Sequence, residues 1–136
     1  MTEARKLTEQ EEINLATLNR LAKAFEEQDV DAILENFHEE GVFDSTEGPE
    51  PWGQRFKGKA EIRKSVEGVF ATLPDVRFVE ATRWVCGNNG VADWTCVATT
   101  PKGHPMRVKG CDIFELRDGL VIRKDTYFKK VVRKKD

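Results

Sequence analysis

Apolar residues along the first third of the chain recur at helical spacing. Leu18, Leu21, Ala22 and Phe25 form one stripe, preceded by Thr8 and Glu11, whose T-x-x-E spacing is that of a capping box. This predicts a first helix over about 8–27. Asp29 is placed to cap a second helix, in which Val30, Ile33, Leu34 and Phe37 repeat the i, i+3, i+4, i+7 pattern until Gly41 stops it. His38, at its end, reads as a C-terminal cap. Val42, Phe43 and Asp44 predict a short strand, and STEGPEPWGQRFKG then predicts a long loop. A third helix opens at Gly58, with Ile62, Val66, Val69 and Phe70 on one face and Pro74 beyond its end.

From residue 76 the period becomes two. Segments 76–86, 91–100, 105–117 and 120–132 are rich in Val, Thr, Trp, Phe and Ile, with GNNG, TPKGHP and RDG between them. Successive hairpins predict an antiparallel sheet, and helices followed by a meander predict a single α+β domain over 1–136, the three helices covering one sheet face. The tails 1–7 and 130–136 read as frayed, the second being part of the basic KKVVRKKD.

One side chain breaks the pattern. In the third long strand Met106, Val108, Gly110, Asp112, Phe114 and Leu116 share a face, so Asp112 points into the apolar interior, unless Gly110 marks a bulge. The neighbours Val108, Gly110 and Phe114 carry no charge, so burial is expected to raise its pKa. Such a carboxyl can move a proton or donate to an oxyanion; the competing reading is a structural ion pair.

Composition narrows the function further. The 136 residues hold 22 Lys+Arg against 24 Asp+Glu, a net charge of −2, which gives no general attraction to nucleic acid. No apolar run approaches the roughly 20 residues of a membrane span, and the N-terminus is polar and acidic, so a soluble, cytoplasmic protein is expected. Cys86, Cys96 and Cys111 lack metal-site spacing and read as reduced thiols, with a Cys86–Cys96 disulfide as the alternative. His38 and His104 form no ligand pair, and no phosphate loop or nucleotide fingerprint is present, so neither metal nor cofactor is expected.

FEEQDVDAILENFHEEGVFD, GKAEIRKSV and RVKGCDIFELRDGLVIRKDTYF together resemble the SnoaL-like branch of the nuclear-transport-factor-2-like superfamily, which includes ketosteroid isomerases, polyketide cyclases, limonene-epoxide hydrolases and scytalone dehydratases. The last segment resembles the ending G-x-D-x-F-x-x-x-x-G-x-I. The resemblance implies a cone-shaped fold around an apolar pocket, a homodimer through the outer sheet face, and Asp112 as the pocket carboxyl. It also exposes departures. Leu21 stands where the isomerases place an oxyanion-hole tyrosine, and Ser45 where they place a general base, with Asp44 one residue away as the candidate base.

The resulting expectation is a cofactor-free enzyme that moves protons on an apolar or polycyclic small molecule, with Asp112 and Asp44 catalytic. Leu21, Phe25, Phe43, Trp52, Val66, Phe70, Trp94, Phe114 and Tyr127 are the candidate substrate-binding residues, Trp52 as part of a lid. The alternative is a ligand-binding or dimerisation module without turnover.

Overall fold

The computed structural model describes residues 5–132 and contains three helices and six strands. Helix α1 spans Glu9–Glu26, α2 Val30–Glu35 and α3 Gly58–Thr72. The strands are β1 (Phe37–Asp44), β2 (Arg55–Lys57), β3 (Arg77–Cys86), β4 (Asn89–Thr99), β5 (Pro105–Arg117) and β6 (Leu120–Phe128).

The capping box forms as predicted: Thr8 accepts from the Glu11 amide, and Glu11 accepts from the Thr8 amide. The Glu11 carboxylate also accepts from the two terminal guanidinium nitrogens of Arg5 and from the Gly87 amide at 2.8 Å, tying the start of α1 to the β3–β4 turn. Arg5 to Leu7 are therefore held in place, with Leu7 against the core. One turn on, Asn14 Nδ2 donates to the Gly87 carbonyl and to Asn88, and Thr17 donates to the Gly119 carbonyl. These polar anchors leave Leu18, Leu21 and Ala24 to bury against the sheet.

The second helix is shorter than its periodicity suggested. It ends at Asn36, and Phe37 opens an eight-residue strand, so His38 caps no helix; its Nδ1 accepts from the Glu40 amide. An apolar residue at i+7 is also what the inner face of a following strand would supply, and the sequence pattern does not separate the two.

The sheet order is β2-β1-β6-β5-β4-β3. All neighbours are antiparallel except β1 and β6, which run parallel, so the sheet is mixed and not wholly antiparallel. That pairing joins segments from opposite ends of the chain, beyond the reach of any hairpin signal. Strand β2 lies inside the predicted loop. The β4–β5 ladder runs unbroken past Gly110, which is therefore not a bulge. Asp118 and Gly119 both have positive φ, as a two-residue type I′ hairpin turn requires. A register shift instead falls in β6, where Leu116 opposes Val121 but Glu115 opposes Arg123. The thiols are free: Cys86 lies opposite Asn89 and Cys96 opposite Phe78. Burial pushes the Cys96 thiol up to about 11.

Candidate active site

A cavity of about 400 Å³ lies between the helices and the inner sheet face, a size typical of small-molecule sites. Leu21 and Phe25 of α1, Phe43 of β1, Val66 of α3, Trp94 of β4, and Asp112 and Phe114 of β5 all line it, as the sequence suggested. Phe25 meets both Phe70 and Phe78 edge-on, and Phe78 meets Trp94 in the same way, at centroid distances of 4.8 to 6.1 Å.

Asp112 is 6% exposed and points inward. Its position follows from the β4–β5 register, which sets Trp94 opposite Gly110 and Ala92 opposite Asp112. The Trp94 ring lies across Gly110, where an added Cβ would come within 2.6 Å of two ring carbons. Only glycine lets the indole lie flat enough to reach the carboxylate, to which Trp94 Nε1 donates at 2.9 Å. Thr126 donates its hydroxyl to the other oxygen, Oδ1.

The carboxylate is not alone. Lys124 Nζ lies 2.9 Å from Asp112 Oδ1 and donates to Thr126 Oγ1 at 2.9 Å. The ammonium, on a residue only 8% exposed, sits 4.6 Å from the ring centroid of Phe43 and 5.3 Å from that of Phe25. The expectation that nothing offsets the desolvation of Asp112 was wrong, because it considered β5 alone and the cation comes from β6. Lys124 supplies the partner charge, and Trp94 and Thr126 the hydrogen bonds, that a buried carboxylate requires.

Lys124 and Thr126 escaped the sequence reading because of the register shift. Strict alternation from Val121, which is fully buried, would put Arg123, Asp125 and Tyr127 inside. The extra residue in β6 reverses this, and Lys124, Thr126 and Phe128 line the cavity instead. The implausibility of Arg123 and Asp125 in a core was the available signal.

Four predicted residues lie outside the cavity wall. Asp44 is fully buried and held in two bonds by Arg55, at 2.8 and 3.0 Å; its neighbours Phe43 and Ser45 are the ones that line the cavity. Trp52 is 46% exposed and carries the Arg55 guanidinium over its ring at 5.4 Å. Tyr127 is 52% exposed on the outer sheet face and donates to Asp125, an anion that raises the phenol's pKa. Phe70 packs behind Phe25. Among the described residues no group of three or more His, Cys, Asp or Glu is arranged to hold a metal ion, and no helix is long and apolar enough to cross a membrane.

Solved structures share this arrangement of elements. A candidate SnoaL-like polyketide cyclase from Jannaschia sp. CCS1 superposes with a TM-score of 0.81 at 20% identity, over 92% of this chain and 91% of that one. A candidate isomerase from Bacillus subtilis gives 0.75 at 23%, over 90% of each chain. An NTF2-like protein of unknown function from Burkholderia pseudomallei K96243 gives 0.76 at 17%, over 86% and 91%. At these identities the likeness is one of fold. No curated protein matches the chain. The SnoaL-like domain family matches residues 18–124, from the second half of α1 through Lys124. The chain thus belongs to the SnoaL-like domain family.

Proposed function

We propose that this protein is a cytoplasmic, cofactor-independent enzyme of one domain that binds an apolar or polycyclic small molecule and moves a proton on it, as isomerases, cyclases, dehydratases and epoxide hydrolases do. The observation that carries this reading is the placement of Asp112, whose carboxylate lines an otherwise largely apolar cavity and is fixed from both oxygens. Membership of the SnoaL-like family supports it. Asp112 is the group that takes up or returns the proton, since Asp44 is committed to Arg55 and lies off the cavity wall. Trp94 and Thr126 hold the carboxylate in one orientation, which lowers the entropic cost of presenting it to a carbon acid. Apolar contacts from Leu21, Phe25, Phe43, Val66 and Phe114 orient the substrate and exclude water.

Exchange of the α-hydrogens of 2-tetralone, an apolar bicyclic ketone, into D₂O tests this by NMR. The wild type is expected to accelerate exchange and Asp112→Asn to abolish the acceleration; equal exchange in both would refute the assignment. A second reading, ligand binding without turnover, is favoured by two features: Leu21 offers no hydrogen-bond donor, and Asp112 is paired with a cation. Under it, ligands would raise the unfolding temperature, by about 2.7 kcal/mol of stability at 100 times Kd, while no exchange occurs.

The outer sheet face supports a homodimer. Trp84, Ile113 and Tyr127 are all more than a third exposed there, an apolar surface of the kind that interfaces cover.

A further inference from the structure

Resting on the reading of Asp112 as proton acceptor, we infer that Lys124 is a second catalytic residue: its ammonium holds the substrate's carbonyl oxygen as that oxygen becomes an enolate. Three observations lead there. First, Lys124 is the buried cation of the cavity wall. The other two cationic lining residues are committed at its edge, Lys23 with a side chain 76% exposed and Arg83 donating to Asn19. Second, the donors nearest the carboxylate are already used, since Trp94 and Thr126 both give their hydrogens to Asp112. Leu21 contributes none. Third, an ammonium has three N–H groups, and among the described residues Lys124 contacts two acceptors, Asp112 Oδ1 and Thr126 Oγ1. Its nitrogen also lies 5.3 and 4.6 Å from the ring centroids of Phe25 and Phe43, and all three residues line the cavity.

The charges explain why a cation beside the base helps. At the start the site holds one carboxylate, one ammonium and a neutral ketone. As Asp112 takes the proton, the C–H electron pair becomes the enolate C=C bond and the carbonyl π pair moves onto oxygen. The site then holds a neutral carboxyl, the same ammonium and an enolate. Net charge is zero at both ends, and Lys124 exchanges one anion for another without moving far. Return of the proton from Asp112 to a different carbon completes an isomerisation with no other reactant. Stabilising the developing oxyanion in this way acts in a water-poor site, where a fixed charge is most effective.

The test uses two bicyclic probes of matched shape: 4-hydroxycoumarin, an enolate at neutral pH, and neutral 4-methylcoumarin. Binding is read by quenching of tryptophan fluorescence, Trp94 being in the cavity wall, with circular dichroism and melting curves showing that each variant is folded. Lys124→Met is expected to weaken 4-hydroxycoumarin tenfold or more and 4-methylcoumarin by less than threefold. Asp112→Asn, which imitates the carboxyl after proton uptake, is expected to bind 4-hydroxycoumarin at least tenfold more tightly than wild type. That gain should vanish in the double variant. Equal losses of both probes in Lys124→Met, or a gain in Asp112→Asn that survives removal of Lys124, would overturn the inference while leaving proton transfer by Asp112 intact. Should Asp112→Asn not fold, the wild-type and Lys124→Met comparison decides alone, with Lys124→Gln as its substitute. Failure of the wild type to bind either coumarin would overturn this inference and the small-molecule site together.

Discussion

Asp112 and Lys124 form a buried ion pair, so their removal should be strongly non-additive. Asp112→Asn strands a buried ammonium and is expected to cost about 3–5 kcal/mol at neutral pH. The double variant with Lys124→Met should recover most of that loss, since a buried pair replaced by apolar groups is often neutral. Urea unfolding of the four proteins checks this, and additive losses would show that the two charges are not coupled. Asp44 and Arg55 give a parallel case off the cavity. Arg55→Met leaves a fully buried carboxylate, and a loss of about 3 kcal/mol is expected with coumarin binding unchanged. At this scale the sequence revealed Asp112 because its neighbours on β5 alternate cleanly. It concealed Lys124 because one extra residue in β6 inverts the faces, an insertion marked only by the charges of Arg123 and Asp125 at positions that strict alternation would bury.

Among the elements, α1 and the start of α2 were readable from their caps and stripes, α3 from its stripe between Gly58 and Pro74, and the hairpins from their turn residues. Strand β2 was not, being three residues within a Gly- and Pro-rich stretch, and β1 was seen only in its last three residues because its start continues a helical pattern. Two element-level contacts make sharp predictions. Gly110→Ala would drive a methyl into the Trp94 ring and the Tyr127 carbonyl, and is expected to cost about 1–3 kcal/mol. It should also displace the indole from Asp112, which a shift in the Trp94 fluorescence would register. The clamp of α1 onto the β3–β4 turn is electrostatic. Arg5 and the amides of Thr8 and Gly87 hold the Glu11 carboxyl well below the usual carboxylate range. Its folded pKa is depressed, so its contribution is complete above the unfolded carboxylate value of about 4.3 and is lost as pH falls below it. Glu11→Gln should therefore narrow the stability difference between pH 6 and pH 3 in chemical unfolding, and an unchanged difference would contradict the clamp.

For the molecule as a whole, the class, α+β with helices on one sheet face, followed from the order of periodicities along the chain. The mixed topology did not, because it depends on β1 meeting β6, a pairing between segments that share no turn. The same sheet has a second face, and its apolar side chains give the proposed homodimer a concrete test. Sedimentation at tens of micromolar is expected to show a dimer, a concentration at which interfaces of standard size hold. Trp84→Glu combined with Ile113→Lys should yield a folded monomer with the cavity intact. A wild-type monomer under those conditions would remove the outer face as an interface.

The parallel pairing of β1 with β6 also bears on how the chain reaches this state. Strands β3 to β6 are joined by tight turns and pair with sequence neighbours, so they can form early; the Phe43–Lys124 pairing must wait for a long loop to close. The cavity would then be the last region to organise, completed only when the first strand docks beside the last. Stopped-flow kinetics should accordingly show Phe43→Leu acting mainly by faster unfolding, and Val91→Ala in the β4–β5 ladder mainly by slower folding. A chain built in this order carries the Asp112–Lys124 pair on an already formed hairpin and gains the wall that shelters it only at the final step, which would make the cavity the least kinetically protected part of the fold.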